Sequence, residues 1–242
     1  MKTFRADLHV HTCLSPCADI LMSPRRIADA AKSLSLDLLG VCDHNAADNA
    51  GAVAEAAARF GIRALPGMEV TSREEVHVLA LFDEIESALR LQELVQPVLA
   101  GENQPEIFGL QVVADAEDEV LGFCPKLLAG AASLSLAEVV EAIHDLGGLA
   151  VAAHADREGF GLLGHLGFIP EDLPLDALEI SPRLSRAEGR RLFGPKRPLV
   201  ASSDAHFLGD IGRSSTTFWL EAGTAAEIGL AFRGFGERRI LE

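Results

Sequence analysis

Short apolar runs alternate with stretches whose apolar residues recur at helical spacing along most of the chain. Phe4 to Val10 reads as a strand, and Pro24 to Leu34 as a helix with Ser23 at its N-cap and proline at its first position. Leu38 to Cys42 then reads as a buried strand, Ala50 to Phe60 as an alanine-rich helix closed by Gly61, and Arg63 to Val70 and Val76 to Phe82 as further strands. A helix follows over Glu84 to Leu99. The rhythm breaks between Gly101 and Ala132, where Gln111 to Phe123 holds two β-rich runs around Ala116-Glu117-Asp118-Glu119, predicting a hairpin insertion at 101–132. It resumes with a helix over Leu136 to Leu146, capped by Ser135 and closed by Gly147-Gly148, and an apolar strand over Leu149 to Ala153. Ala177 to Ile180, Leu199 to Ser202 and Thr216 to Leu220 read as strands, Arg186 to Phe193 and Thr224 to Phe232 as helices. This α/β pattern predicts a closed or nearly closed parallel barrel of about seven βα units, as one domain over 1–242.

In such a barrel the catalytic groups sit at the carboxyl ends of the strands, and the polar residues of this chain fall there. The first strand ends in Asp7-Leu8-His9-Val10-His11, where alternation puts Asp7, His9 and His11 on one face. The second ends in Asp43-His44 and the third in Gly67-Met68-Glu69. The fourth carries His77, the fifth ends in His154-Ala155-Asp156-Arg157, the sixth carries Glu179, and the seventh ends in Ser203-Asp204-Ala205-His206. One histidine in an apolar strand is ordinarily a satisfied core residue. This many imidazoles and carboxylates around one axis would leave costly unpaired groups unless they share cations.

Composition changes the picture in three ways. The formal net charge of −15 argues against a broad polyphosphate-binding surface. No stable binding of duplex nucleic acid is therefore expected, but a small nucleotide is not excluded, because carboxylates that hold metal are counted as bare negatives in that sum. The four cysteines, Cys13, Cys17, Cys42 and Cys124, form no C-x-x-C pair, so a disulfide framework is not expected. No run approaches the ~20 apolar residues of a membrane span and no basic-then-apolar leader opens the chain, which makes a cytoplasmic protein without membrane contact the expectation. Oligomeric state is not legible.

The ordered motifs D-L-H-x-H at Asp7 to His11, D-H at Asp43-His44, G-x-E at Gly67 to Glu69, the strand histidines His77 and His154, and S-D-x-H at Ser203 to His206 resemble the PHP (polymerase and histidinol phosphatase) superfamily over nearly the whole chain. The resemblance implies a distorted (β/α)7 TIM-like barrel holding two or three divalent ions of manganese, iron or zinc. It implies that His9, His11, Glu69 and Asp204 hold one ion, that Glu69 bridges to a second held by His77 and His154, and that His44 and His206 hold the third. The family takes one more ligand to the third ion from the loop after H-x-H. Here that loop reads Thr12-Cys13-Leu14-Ser15-Pro16-Cys17-Ala18-Asp19, so Asp19 is the first candidate and Cys17 the alternative; Cys17 would favour a softer metal such as zinc.

Asp7 and Asp43 would fix the tautomers of neighbouring imidazoles, and Glu179 either does the same or is the polar end of its strand. Catalysis would run through a metal-bound water held by Glu69, His77, His154 and Asp204. No G-x-S-x-G elbow or phosphate-cradling P-loop competes with that reading. Arg157, Arg183 and Arg213 follow strand ends or motifs and are the candidate phosphate contacts. His144 is expected to have no catalytic role, and His165 to be a loop residue or a substrate contact. The function that follows is a metal-dependent phosphoesterase hydrolysing phosphomonoesters of small nucleotides or oligonucleotide ends. The alternatives are histidinol phosphate as substrate, an amidohydrolase barrel, or a non-catalytic binding module.

Overall fold

Residues 1–241 are described by the computed structural model. In chain order they form β1 (Lys2–Val10), α1 (Pro24–Ser33), β2 (Leu38–Val41), α2 (Ala50–Ala58), β3 (Arg63–Thr71), β4 (His77–Leu81), α3 (Ile85–Val95), α4 (Pro105–Phe108), β5 (Val112–Ala114), β6 (Val120–Phe123), α5 (Leu136–Asp145), β7 (Leu149–Ala152), α6 (Leu162–Leu166), β8 (Ala177–Ile180), α7 (Arg186–Phe193), β9 (Leu199–Ala201), β10 (Thr216–Leu220), α8 (Ala225–Phe232) and β11 (Arg239–Leu241). One sheet has the order β11-β10-β1-β2-β3-β4-β7-β8-β9, and β5-β6 form the separate hairpin expected within 101–132.

The sheet curls. Beyond β9 the chain bonds back to the end of β1 through a parallel bridge between Val10 and Ala205: His11 N–H donates to Ala205 O at 3.0 Å, and Ala205 N–H to His9 O at 3.2 Å. The segment after β9 thus meets β1 at the end where the polar strand termini gather. Leu8, Leu65, Leu79, Leu81, Val151 and Phe218 pack in one buried cluster on which α8 also sits, while Val41, Met68, Val78, Ala80 and Ile180 belong to a second, which takes in the buried faces of α1, α2, α3 and α5.

A strict (β/α)7 repeat does not form. β4 runs antiparallel to both β3 and β7, joined to β3 by a short turn rather than a helix, and β10 and β11 extend the sheet antiparallel outside β1. A strand covered on both faces reads as a continuous apolar run in either direction, so hydropathy carries no record of strand polarity. Two consequences position the site. His77 opens β4 instead of ending a parallel strand, yet antiparallel pairing sets it opposite Thr71, at the same end of the sheet as Glu69. Gly67 and Gly40 allow strands to approach where a side chain could not: a Cβ on Gly67 would lie 2.1 Å from Ala80 O, and one on Gly40 2.3 Å from Leu8 O.

Helix starts follow local chemistry unevenly. Ser135 and Ser185 form capping boxes with Glu138 and Glu188. Ser23 occupies the N-cap of α1 with extended backbone, but its hydroxyl makes no capping bond; proline in the first turn pre-sets the helix instead. The hairpin insertion is tied to the loop after β1: Val112 N–H donates to Cys13 O at 2.9 Å, and Asn49 bonds Val112 O and Ala114 N–H. No helix among the described residues is long and apolar enough to cross a membrane.

Candidate metal centre

Glu69, at the end of β3 and 1% exposed, is the hub. Five imidazoles reach its carboxylate: His77 Nδ1 at 2.8 Å, His154 Nε2 at 3.1 Å and His9 Nε2 at 3.5 Å from Oε1, His44 Nδ1 at 3.0 Å and His11 Nε2 at 3.5 Å from Oε2. Asp204 is the second acid, with Oδ1 3.3 Å from His9 Nε2 and 3.2 Å from His11 Nε2. His206 lies above, its ring 4.1 Å from that of His11. The backbone bends sharply to make these approaches: Asn45, His154 and Asp204 all have positive φ, at 50°, 29° and 52°. Such conformations cost energy for residues with a Cβ, and they cluster here.

Hydrogen bonds from outside the cluster set the ring tautomers. His9 Nδ1 faces Glu179 Oε2 at 3.0 Å, and the same oxygen accepts His154 N–H at 2.9 Å. Glu179 is therefore the orienting acid rather than an incidental strand end. Ser15 Oγ donates to Asp43 Oδ1 at 2.6 Å and so accepts from His11 Nδ1 at 2.9 Å. Asp43 thus acts on an imidazole through Ser15, a residue with no motif to announce it. Asp7 does not: its carboxylate accepts from Ser203 N–H and Oγ–H and from Gly212 N–H, tying β1 to the loop after β9. The β1–β2 register shifts between Asp7 and Val10, so strict alternation fails there. Burial pushes the Asp7 carboxyl up to about 6, against the pull of those three bonds.

With His9 and His11 both protonated at Nδ1, their Nε2 lone pairs face each other at 3.1 Å. Without a positive charge between them that contact is repulsive. Glu69 Oε2 and His44 Nδ1, although 3.0 Å apart, are misaligned for a hydrogen bond, and both are buried without a partner, as is His154 Nδ1. The field also calls for a cation: burial disfavours a charged His44, but Glu69 and Cys17 together outweigh it and raise the pKa to about 10. Burial would raise Glu69 too, yet His77, His9 and His44 hold it well below the usual carboxylate range. The residues fit divalent ions, and three groups of ligand atoms lie within 4.8 Å of one another: His9, His11 and Asp204; His44, Glu69 and His77; His11, His44 and His206.

The remaining candidates separate. Asp19 Oδ1 accepts Leu21 N–H at 2.8 Å, and Cys17 Sγ is 3.1 Å from His206 Nε2. Arg157 forms an ion pair with Asp204 Oδ2 at 2.7 Å and lines a cavity of about 160 Å³ with His44, Glu69, His77, His154, Phe160 and His206. Arg157 and Arg183 also line an adjoining polar cavity of about 690 Å³. Arg213 is 70% exposed, pairs with Asp210 and lines neither. His144 bonds Asp176 on the flank. Phe160, which no pattern singles out, stacks on His77 at 4.5 Å, takes His77 N–H on its carbonyl, and has its own N–H bonded to His165 Nε2.

Comparison with known proteins places this geometry. Residues 7–131 match the PHP domain family model and residues 196–234 the PHP-associated model. A lesion-specific endonuclease Q of Pyrococcus furiosus superposes over 99% of this chain and 58% of its own, at 21% identity and a TM-score of 0.76. A second endonuclease Q structure, in complex with a 27-mer duplex substrate with an abasic lesion at the active site, covers 98% of this chain and 58% of its own, at 21% identity and a TM-score of 0.69. The uncharacterized protein YqxK of Bacillus subtilis (strain 168) is 25% identical over 260 residues, and this chain spans 65% of it. The expectation that duplex nucleic acid is excluded therefore does not stand, because a chain sharing this fold holds a duplex at its active site. Net charge misled: it counts Glu69 and Asp204 as free negatives and is blind to Arg157 and Arg183 at the mouth. A PHP match over more than half of its length, with the motif residues converging on one centre, makes this chain a member of the PHP domain family.

Proposed function

We propose that this chain is a metal-dependent phosphoesterase acting on phosphate esters of nucleotides or nucleic acid. Membership of the PHP family and the His/Glu/Asp clusters support a metal-dependent hydrolase. The observation that carries the reading further is the convergence of five imidazoles on Glu69 beside an arginine-lined cavity. His9, His11, Glu69 and Asp204 would hold one ion, Glu69 with His77 and His154 a second, and His44 with His206 a third. Bound divalent ions would supply Lewis acidity, lowering the pKa of water and neutralising charge on the phosphoryl oxygens.

The chain's own groups do the rest. Glu179 and the Asp43–Ser15 pair keep the Nε2 atoms of His9 and His11 aimed inward. The Arg157 guanidinium, now on Asp204, is placed to donate to a phosphoryl oxygen entering the cavity, and Arg183 extends the positive wall outward. Phe160 covers His77 and keeps water from that ligand.

The test is turnover by the purified chain loaded in turn with manganese, iron(II) or zinc. The substrates are an end-labelled duplex with and without an abasic site, a single strand, a nucleotide 3′,5′-bisphosphate and histidinol phosphate. Cleavage or phosphate release from the nucleic-acid substrates is expected with at least one metal. Hydrolysis of histidinol phosphate alone would overturn the substrate class, and inertness with every metal would overturn the enzyme.

A further inference from the structure

The chain running from β7 into α6 is wound tightly around its own carbonyls. A Cβ on Gly161 would lie 2.3 Å from Arg157 O, and one on Gly164 2.1 Å from Glu158 O, so both glycines are spent on close approach. Phe160 stands between Gly159 and Gly161 yet takes a positive φ itself, at 59°, an outlier for a bulky residue. A glycine there would relieve the backbone and lose the ring. The contacts that hold Phe160 run inward. Its N–H donates to His165 Nε2 at 2.9 Å, its carbonyl accepts His77 N–H at 3.0 Å, and its ring stacks on that of His77 at 4.5 Å and 21°. His77 Nδ1 is in turn 2.8 Å from Glu69 Oε1.

His165 is exposed and lines neither the metal cavity nor the adjoining one, so it does not stand where a substrate would touch it. Its Nε2 accepts a main-chain N–H, which fixes the neutral ring with its proton on Nδ1. The ring lies at 22° to that of Phe160, with centroids 5.9 Å apart. We infer that His165 is a positioning residue: it holds Phe160 in its strained conformation, and Phe160 fixes His77, by its carbonyl and by its ring, in the orientation that faces Glu69. The inference rests on the metal centre proposed above and adds a residue outside the ligand set. Removing the acceptor frees the Phe160 N–H and lets φ relax to negative values, which lifts both the ring and the carbonyl from His77.

The test is amide exchange and metal affinity in the full chain, comparing the native sequence with His165→Leu, which has no acceptor, and His165→Gln, whose side-chain carbonyl can replace it. In the metal-free protein the Phe160 and His77 amides are expected to exchange about tenfold faster in His165→Leu, with β1 and β2 unchanged, and to slow again in His165→Gln. Unchanged exchange at those two amides, or acceleration throughout the chain, would overturn the inference. Cobalt(II) affinity, read by chelator competition, should fall about tenfold in His165→Leu and return in His165→Gln. Placed on Phe160→Gly, His165→Leu should add little, because glycine holds a positive φ unaided and has no ring to keep on His77; a loss of the same size in that background would show that His165 does not act through Phe160. A native chain that takes up no cobalt would sink the metal centre, and amide exchange would still decide whether His165 holds His77. Should His165→Leu not fold, the native chain decides: slow exchange is expected at the Phe160 amide, whose acceptor is an exposed side chain, and exchange at the rate of an open loop would refute the assignment.

Discussion

Glu69 is where burial and charge conflict most sharply in this chain. Its burial would be untenable for an isolated carboxylate, and His77, His9, His44 and His154 hold it ionised. Those imidazoles in turn depend on bonds made outside the cluster. Glu179→Gln leaves a neutral acceptor opposite His9 Nδ1, and it should weaken metal binding about 10- to 100-fold in a chelator competition. Unchanged affinity would mean that Glu179 is only filling space. Arg157 answers to a different readout. Its truncation to alanine removes a charge-assisted donor worth about 1.5–3 kcal/mol, so kcat/KM should fall roughly 10- to 100-fold with metal content unchanged. Arg213→Ala, outside both cavities, should leave kcat/KM where it was.

At the scale of elements, the approach of β3 to β4 delivers Glu69 and His77 to the same point, and Gly67 sets it. Gly67→Ala would drive a methyl group into Ala80 O, so an overpacking cost of about 1–3 kcal/mol is expected in a denaturant melt, together with reduced metal content because Glu69 lies two residues on. A melt and metal content matching the native chain would show that the strands can part without cost. This pair also marks where sequence reading stops. Most elements were legible from period and punctuation, α7 and β10 to the residue, because buried faces and turn residues leave local marks; the short α4, α6 and β11 were not. The direction of β4 was not, since an apolar run is the same read either way. The histidines and acids were legible as candidates because most stand at or near a strand end in a recognisable motif. Ser15 and Phe160 were not, because serine in a loop and phenylalanine among glycines are common, and only the fold brings them to His11 and His77.

For the molecule as a whole, the curled sheet spends its open end on groups that oppose one another. Two lone pairs face at 3.1 Å between His9 and His11, and Glu69, His44 and His154 each carry a buried polar atom without a partner. Each such atom costs about 1–3 kcal/mol when nothing replaces its lost water. These atoms stand at or just beyond the ends of β1, β2, β3 and β7, beside the bridge by which the segment after β9 reaches Val10. Stability of the fold and occupancy of the centre should therefore be linked. An ion at 100 times its dissociation constant stabilises by about 2.7 kcal/mol. For a domain of this size each kcal/mol moves Tm by about 2–4 °C, so removing metal should lower Tm by about 5–10 °C per tightly held ion. The loss should return on adding zinc or manganese and should be much smaller in Glu69→Gln, which keeps the shape of the hub and discards its charge. A Tm indifferent to chelation would mean that protons satisfy the cluster as well as cations do, and the lone-pair argument for metal at His9 and His11 would fall with it.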